Sequence, residues 1–451
     1  MKFKVPALML ACLTLSTACS SDSRQPPELD SLLRYHALIS AIPASQYAAD
    51  APGVVFSDSD NYFVVKDNIH VAGVTNTAGT PALQNFTPEQ NSVVVQRLLD
   101  AGAIPVAKTN MHELAFGITS NNAAFGAVGN FHDPVRFAGG SSGGTAVAVA
   151  SGLVSWGLCT DTGGSCRIPA ALNGVVGFRP SMGRYPSAEV TPLSHTRDTI
   201  GLIARDAALA AQVDAVISGA PLTQSVPAFN NNNPALRLGI PRRHFYENLE
   251  PGVAGSTDAY LARLRANGVE LVDVDIADLV ARSNAISLTI VMYEAPNDLS
   301  RYLGTYYPQL DLEELTSQIA SPDVAGALNA AINQPVPREL YEEALRLREA
   351  LIVDISAFFT DQSITAMVYP AVPVTARSID EESDTLLLNG EPVPTFNAVV
   401  RNTDFASLIG LPAITLPAGL AANGLPVGIE LAGPIGSDRL LLDLAVKLQA
   451  F

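Results

Sequence analysis

The sequence predicts an α/β fold, and three observations lead there. An apolar run, an amphipathic stretch and a second apolar run follow one another between residues 61 and 110. The same order returns between residues 236 and 276, and the last third of the chain holds further short apolar runs before a closing amphipathic stretch. Alternation of this kind builds a sheet covered by helices. With 48% apolar residues among 451, the chain has material for a large core.

Taken in order, "DNYFVVKDNIHVAG" reads as a strand with Lys66 near its end. "TPEQNSVVVQRLLDAGA" reads as a helix, with Thr87 as N-cap, Pro88 at the first helical position and Gly102 just past the end. "IPVAKTN" is a short strand. "LRLGIP", "STDAYLARLRANG" and "VELVDVDI" form a second strand, helix, strand unit. Residues 279–360 are mostly helical and carry Tyr293, Tyr302, Tyr306 and Tyr307, read first as ordinary packing. "ITAMVYPAVPV", "PAITLPAGL" and "PVGIELAG" are buried strands, and "SDRLLLDLAVKLQAF" is the closing helix.

The N-terminus is of another kind. Lys2 and Lys4 precede an apolar run from Val5 to Leu15 and then small residues, the pattern of a secretory signal. That run is too short to span a bilayer. Ser16-Thr17-Ala18 before Cys19 resembles a lipoprotein signal, which makes residues 1–18 a signal peptide and Cys19 a lipidation site. Residues 19–50 are then a tether with an N-terminal helical segment, and residues 51–451 a single domain. Plain signal cleavage after Ala18 is the alternative. The expected address is the periplasm or cell envelope, with the membrane reached only through lipid on Cys19.

Composition excludes several classes of function. The chain carries 27 basic against 44 acidic residues, a formal charge of −17, and has no basic stripe, so no nucleic-acid partner is expected. It has neither C-x-x-C nor H-E-x-x-H, and its six histidines are scattered, so neither metal nor cofactor is expected. Cys159 and Cys166 are read as two buried free thiols rather than a disulfide framework.

The chemistry concentrates around "FAGGSSGGTAVAVASG", where glycines flank Ser141 and Ser142. It is not a phosphate loop, because Thr145 rather than lysine follows Gly143-Gly144. Gly139 to Gly143 does match G-x-S-x-G, the nucleophile elbow of a Ser-His-Asp esterase, with His195 and His244 as the only later histidines. A third reading uses more of the chain. "GLCTDTGGSCRIPAALNGVVGFRPS" places a second glycine-flanked serine, Ser165, 24 residues beyond Ser141, and Lys66 lies 75 residues before Ser141.

This ordered set resembles the amidase signature family, from about Asn61 to the C-terminal helix and most densely from Gly139 to Pro180. "KTNMHELAFGITSNNAAFGAVGN" and "GLPAITLPAG…GLPVGIELAG" add to the resemblance. It implies a large, mixed, twisted sheet with helices on both faces. It also implies Ser165 as nucleophile, Ser141 as a bridging serine after a cis Gly140–Ser141 bond, and Lys66 as base. Backbone N–H groups of Thr162, Gly163, Gly164 and Ser165 would hold the oxyanion. Ser142 is expected to hydrogen-bond near the relay, Asp161 to anchor the oxyanion loop and Arg167 to pair with an acidic neighbour. Cys166, beside the nucleophile in a stretch read as extended, is assigned to packing.

"GGSCRIPAALNGVVGFRPSMGRYP" with "VTPLSHTRDTIG" is similar to the mandelamide and indoleacetamide hydrolase branch, which implies small primary amides of aryl-substituted acids. Met111, Phe116, Tyr293 and Phe396 are the pocket candidates. Aryl-acylamidase and peptide-amide branches stay open, and the tRNA transamidase subunit is disfavoured by the export signal. A catalytically inactive exported binding lipoprotein is the alternative of a different class. Either a monomer or a homodimer is compatible with the sequence.

Overall fold

The computed structural model describes residues 28–47, 55–57, 60–220, 236–380 and 384–451. The signal and lipidation readings at residues 1–18 and Cys19 lie outside the described residues.

In chain order the elements are β1 (Leu38–Ala41), β2 (Tyr62–Lys66), α1 (Val93–Asp100), β3 (Ile104–Thr109), α2 (Gly143–Ala150), β4 (Trp156–Asp161), α3 (Arg167–Asn173), β5 (Val176–Arg179), β6 (Thr199–Ala204) and α4 (Ala207–Ser218). Then follow β7 (Arg237–Pro241), α5 (Arg242–Phe245), α6 (Pro251–Ala266), β8 (Glu270–Val274), α7 (Ala277–Tyr306), α8 (Leu312–Ser317), α9 (Pro322–Asn333), α10 (Arg338–Asp361) and β9 (Ala366–Pro370). The chain closes with β10 (Thr385–Leu388), β11 (Glu391–Pro394), α11 (Thr395–Val400), α12 (Asp404–Ile409), β12 (Ala413–Leu420), β13 (Pro426–Ala432) and α13 (Asp438–Gln449).

One 11-stranded sheet, ordered β1-β3-β2-β4-β6-β5-β12-β13-β9-β7-β8, organises the described residues. It is mixed: β2 runs parallel to β3 and β4, whereas β4 and β5 each pair antiparallel with β6. The sheet begins upstream of residue 51, because β1 pairs with β3 at its edge. Sheet side chains alternate between faces, and here the two faces carry different helices. Phe63 and Val65 of β2 pack with residues of α1, α4, α6 and α13. Tyr62 and Val64 pack with Ala146, Val147, Ala148 and Val149 of α2. By the same alternation Lys66 falls on the α2 face, and that places it beside the serine loop that leads into α2.

One boundary departs from expectation. Helix α1 starts at Val93, and its N-cap is Ser92, whose hydroxyl accepts from the Val95 amide. The expected cap, Thr87, lies outside the helix. The Pro88 carbonyl takes the Gly73 amide and the Asn91 side chain takes the Ala72 amide, so this stretch is committed to a neighbouring turn. The helical tyrosines do pack: Tyr302 bonds His70 Nε2 at 2.7 Å, and Tyr306 stands edge-on to the same ring.

Candidate active site

Lys66 is fully buried at the end of β2. Its Nζ lies 2.6 Å from Ser141 Oγ and 2.7 Å from Thr160 Oγ1. Burial is the main influence on this amine; it outweighs the attraction of Asp161 and Asp198 and pulls Lys66 from 10.5 down to about 7. A lysine in that state is uncharged often enough near neutral pH to accept a proton.

The Gly140–Ser141 peptide bond is cis, the geometry the family resemblance implies. Gly140 sits where a Cβ would come within 2.9 Å of the Ile118 carbonyl carbon and the Thr119 amide nitrogen, so no larger residue fits this turn. The Ser141 carbonyl accepts from the His112 amide at 3.1 Å. Ser142 donates to the Thr160 carbonyl at 3.4 Å and so ties the serine loop to β4.

Ser165 occupies the turn from β4 into α3. Gly164, at φ +133°, holds a conformation closed to ordinary residues, and a Cβ there would fall 2.1 Å from Thr403 Oγ1. Asp161 anchors the turn: its carboxylate accepts from the amides of Gly164 and Cys166 and from the guanidinium groups of Arg167 and Arg179. Burial alone would raise this carboxyl, but the charges of Arg167 and Arg179 win and hold it far below the usual carboxylate range. Arg167 also reaches Glu430 at 2.5 Å.

Of the four expected oxyanion donors, the Gly164 amide is already committed to Asp161 at 3.0 Å. The amides of Gly163 and Ser165 have no acceptor among the described residues. The structure joins Lys66 to Ser141 but makes no hydrogen bond between Ser141 and Ser165. Ser165 lines a cavity of about 560 Å³.

The expectation of two free thiols fails. Cys159 and Cys166 form a disulfide, with Cα atoms 5.6 Å apart. The reading of Cys166 as part of an extended stretch fails too: it is the N-cap of α3, where the chain turns back over β4. That turn brings residues seven positions apart within bridging distance.

Phe116 and Phe396 line the cavity with Ser165, together with Ile118, Leu288 and Val291. The other two pocket candidates do not. Met111 is fully buried against Gly79, and Tyr293 stacks on Tyr341 at 3.9 Å between ring centroids. One wall is polar: Arg197 pairs with Asp404, and both bond Ser287. His195 and His244 serve other partners. His195 Nδ1 lies 2.9 Å from Asp298 Oδ2, and His244 Nε2 lies 3.3 Å from the Arg401 carbonyl.

His195, Glu294 and Asp298 also offer ligand atoms within 4.8 Å of one another. Those atoms already have donors. Glu294 accepts from Ser194, Thr196 and Tyr341, and Asp298 accepts from both the His195 ring and the His195 amide. The cluster thus works as a strap that fixes the 194–196 loop on α7.

Sequence reasoning missed Thr160, Arg179 and Asp198. Asp198 accepts from the Thr162 hydroxyl and from the Leu193 and Ser194 amides, and so supports the loop beside the nucleophile turn. All three lie inside the quoted stretches 157–181 and 190–201, but nothing in their residue type marks a role there; the role comes from strand pairing, as Asp161 opposite Thr199 illustrates.

The chain is similar to known amide hydrolases in sequence and in fold. The family model described as Amidase matches residues 62–442. The chain is 42% identical over 387 residues to an indoleacetamide hydrolase of Agrobacterium vitis, covering 85% of this chain and 82% of that protein. It is 40% identical over 402 residues to a mandelamide hydrolase of Pseudomonas putida, covering 84% and 76%. A solved amidase crystal structure superposes with a TM-score of 0.79 at 31% identity, covering 94% of this chain and 93% of that one.

Proposed function

The chain belongs to the amidase family and hydrolyses amides, and on that premise we propose that its substrate is a small primary amide of an aryl-substituted acid, cleaved through an acyl-enzyme on Ser165. The observation that carries this is the conjunction of a buried, proton-accepting Lys66 bonded to Ser141 with a Ser165 that lines the same cavity as Phe116 and Phe396. The named activities of the indoleacetamide and mandelamide hydrolases support the aryl assignment.

The chemistry runs as follows. With substrate bound, Ser165 Oγ turns toward Ser141 and attacks the carbonyl carbon. Its proton passes to Ser141, and the Ser141 proton passes to Lys66. The oxyanion is held by the free Gly163 and Ser165 amides; a single donor of this kind is typically worth about 2.7–4 kcal/mol. The relay then reverses, the leaving nitrogen takes the proton, and the C–N bond breaks to release ammonia. Water cleaves the ester on Ser165 and the acid departs.

We also propose that the protein is exported and anchored through Cys19. The Cys159–Cys166 disulfide supports this reading, because such bonds persist in oxidising compartments. Incorporation of labelled palmitate that is lost in Cys19→Ser tests the anchor. Ammonia release from indole-3-acetamide, mandelamide, aliphatic amides and peptide amides tests the substrate class: aryl primary amides should give the highest kcat/KM, and a preference for peptide amides would contradict the proposal.

A further inference from the structure

The disulfide lies against both ends of the reacting machinery. Cys159 immediately precedes Thr160, whose hydroxyl is bonded to Lys66 Nζ at 2.7 Å. Cys166 immediately follows Ser165. Both cysteines are fully buried. Between them run Gly163 and Gly164, two residues that resist ordering because glycine loses the most conformational freedom when fixed.

The opposite strand is cut to receive the bond. Gly201 of β6 is the register partner of Cys159. A Cβ at Gly201 would stand 2.7 Å from Cys166 Sγ and 2.5 Å from the Phe178 carbonyl oxygen. The space for the bridge therefore exists only because that position lacks a side chain.

We infer that the Cys159–Cys166 disulfide is a positioning device for the nucleophile: it fixes the Ser165 end of the turn relative to the Thr160 end that holds Lys66, so that the reduced chain is a slow amidase. The inference rests on Ser165 as the nucleophile. Non-covalent ties remain after reduction, since Asp161 still holds the Gly164 and Cys166 amides and Thr403 still donates to the Gly163 carbonyl at 2.6 Å. The reduced chain should therefore stay folded while the turn loosens. A dithiol reductant would deliver two electrons and two protons to the bridge, leaving two thiols and its own disulfide. The effect is one of placement, and an error of about 1 Å in a reacting group costs on the order of a hundredfold in rate.

The test compares three preparations of the full chain: oxidised, reduced with a dithiol, and reduced then reoxidised. Peptide mass mapping after thiol alkylation establishes the state of Cys159 and Cys166. The readouts are the rate of fluorophosphonate labelling at Ser165 and kcat and KM for indole-3-acetamide. Reduction should lower the labelling rate and kcat by about tenfold to a hundredfold, with KM changed far less, and reoxidation should restore both. The Cys159→Ser/Cys166→Ser double variant should match the reduced protein while keeping a native far-UV spectrum; if that variant does not fold, the reduction and reoxidation cycle decides. Equal labelling rates in oxidised and reduced protein would overturn the inference alone. No label at Ser165 in the oxidised protein would overturn the nucleophile assignment, and the inference with it.

Discussion

Thr160 Oγ1 and Ser141 Oγ stand on either side of one amine, 2.7 and 2.6 Å from Lys66 Nζ. Two neutral hydroxyls, rather than a carboxylate, are what the buried lysine touches. That is why desolvation dominates its titration and brings it to about 7. Fluorophosphonate labelling should therefore rise with pH through about 7 and then level off. Thr160→Val removes an oxygen that stabilises the charged amine, so its profile should move to lower pH. A bell-shaped profile, or no shift in Thr160→Val, would count against the account. The same titration affects folding. Lys66 is about 7 when folded and 10.5 otherwise. Between those values the unfolded chain holds the extra proton, so this group's contribution to stability rises with pH across that window and is least favourable below it. Urea melts of wild type against Lys66→Met at several pH values should show that trend in their difference.

Asp161 is the buried anion to which Arg167 and Arg179 are both paired. Asp161→Asn keeps the shape but removes the charge that Arg167 and Arg179 share, leaving Arg167 with Glu430 alone. Loss of one member from a buried ionic cluster typically costs about 3–5 kcal/mol. The folded carboxyl is depressed, so the contribution of Asp161 is present above the ordinary aspartate pKa and is lost only as the pH falls below it. A denaturation midpoint in Asp161→Asn close to that of wild type at neutral pH would contradict this.

Phe116 and Phe396 line the same cavity as Ser165. An aromatic pair contributes about 0.5–1.5 kcal/mol beyond simple burial. Phe116→Ala and Phe396→Ala should therefore each raise KM for an aryl amide up to about tenfold, with a much smaller effect on an aliphatic amide. Equal losses on both substrates would remove these rings from the specificity pocket.

His195 is bonded to Asp298, and it is one of only two histidines that a Ser-His-Asp scheme could use. Asp298 raises its pKa, so any stability it supplies is full below the usual histidine pKa and fades as the pH rises through the raised value. His195→Ala should keep kcat within a few-fold of wild type. A loss on the order of a thousandfold, the scale of a missing general base, would favour the esterase-like scheme.

Much of this was legible in the sequence. The strand around Lys66 and the strand, helix, strand units follow from apolar patterning, and the Ser141 and Ser165 motifs stand out by their glycines. Asp161 and Arg167 read as scaffold, and in the structure Arg167 bonds both Asp161 and Glu430. What the sequence hid depends on contacts far apart in the chain. Thr160 is an ordinary polar residue until pairing of β2 with β4 brings it to Lys66. The disulfide is hidden because two cysteines in so long a chain do not make a disulfide framework, and only the start of α3 at Arg167 folds Cys166 back over Cys159. The cap of α1 was misplaced because a distant turn at Ala72–Gly73 claims the expected stretch. For Tyr293 the sequence allows either packing or a place in the pocket, and its ring is spent on Tyr341 of another helix.

The most direct test is to label the purified protein with a fluorophosphonate and locate the adduct by peptide mass spectrometry, in wild type and in Lys66→Ala. The account predicts a single adduct on Ser165 in wild type, slowed by about a hundredfold or more in Lys66→Ala. An adduct on Ser141 or Ser142, or a Ser165 adduct that forms equally fast without the lysine, would contradict it.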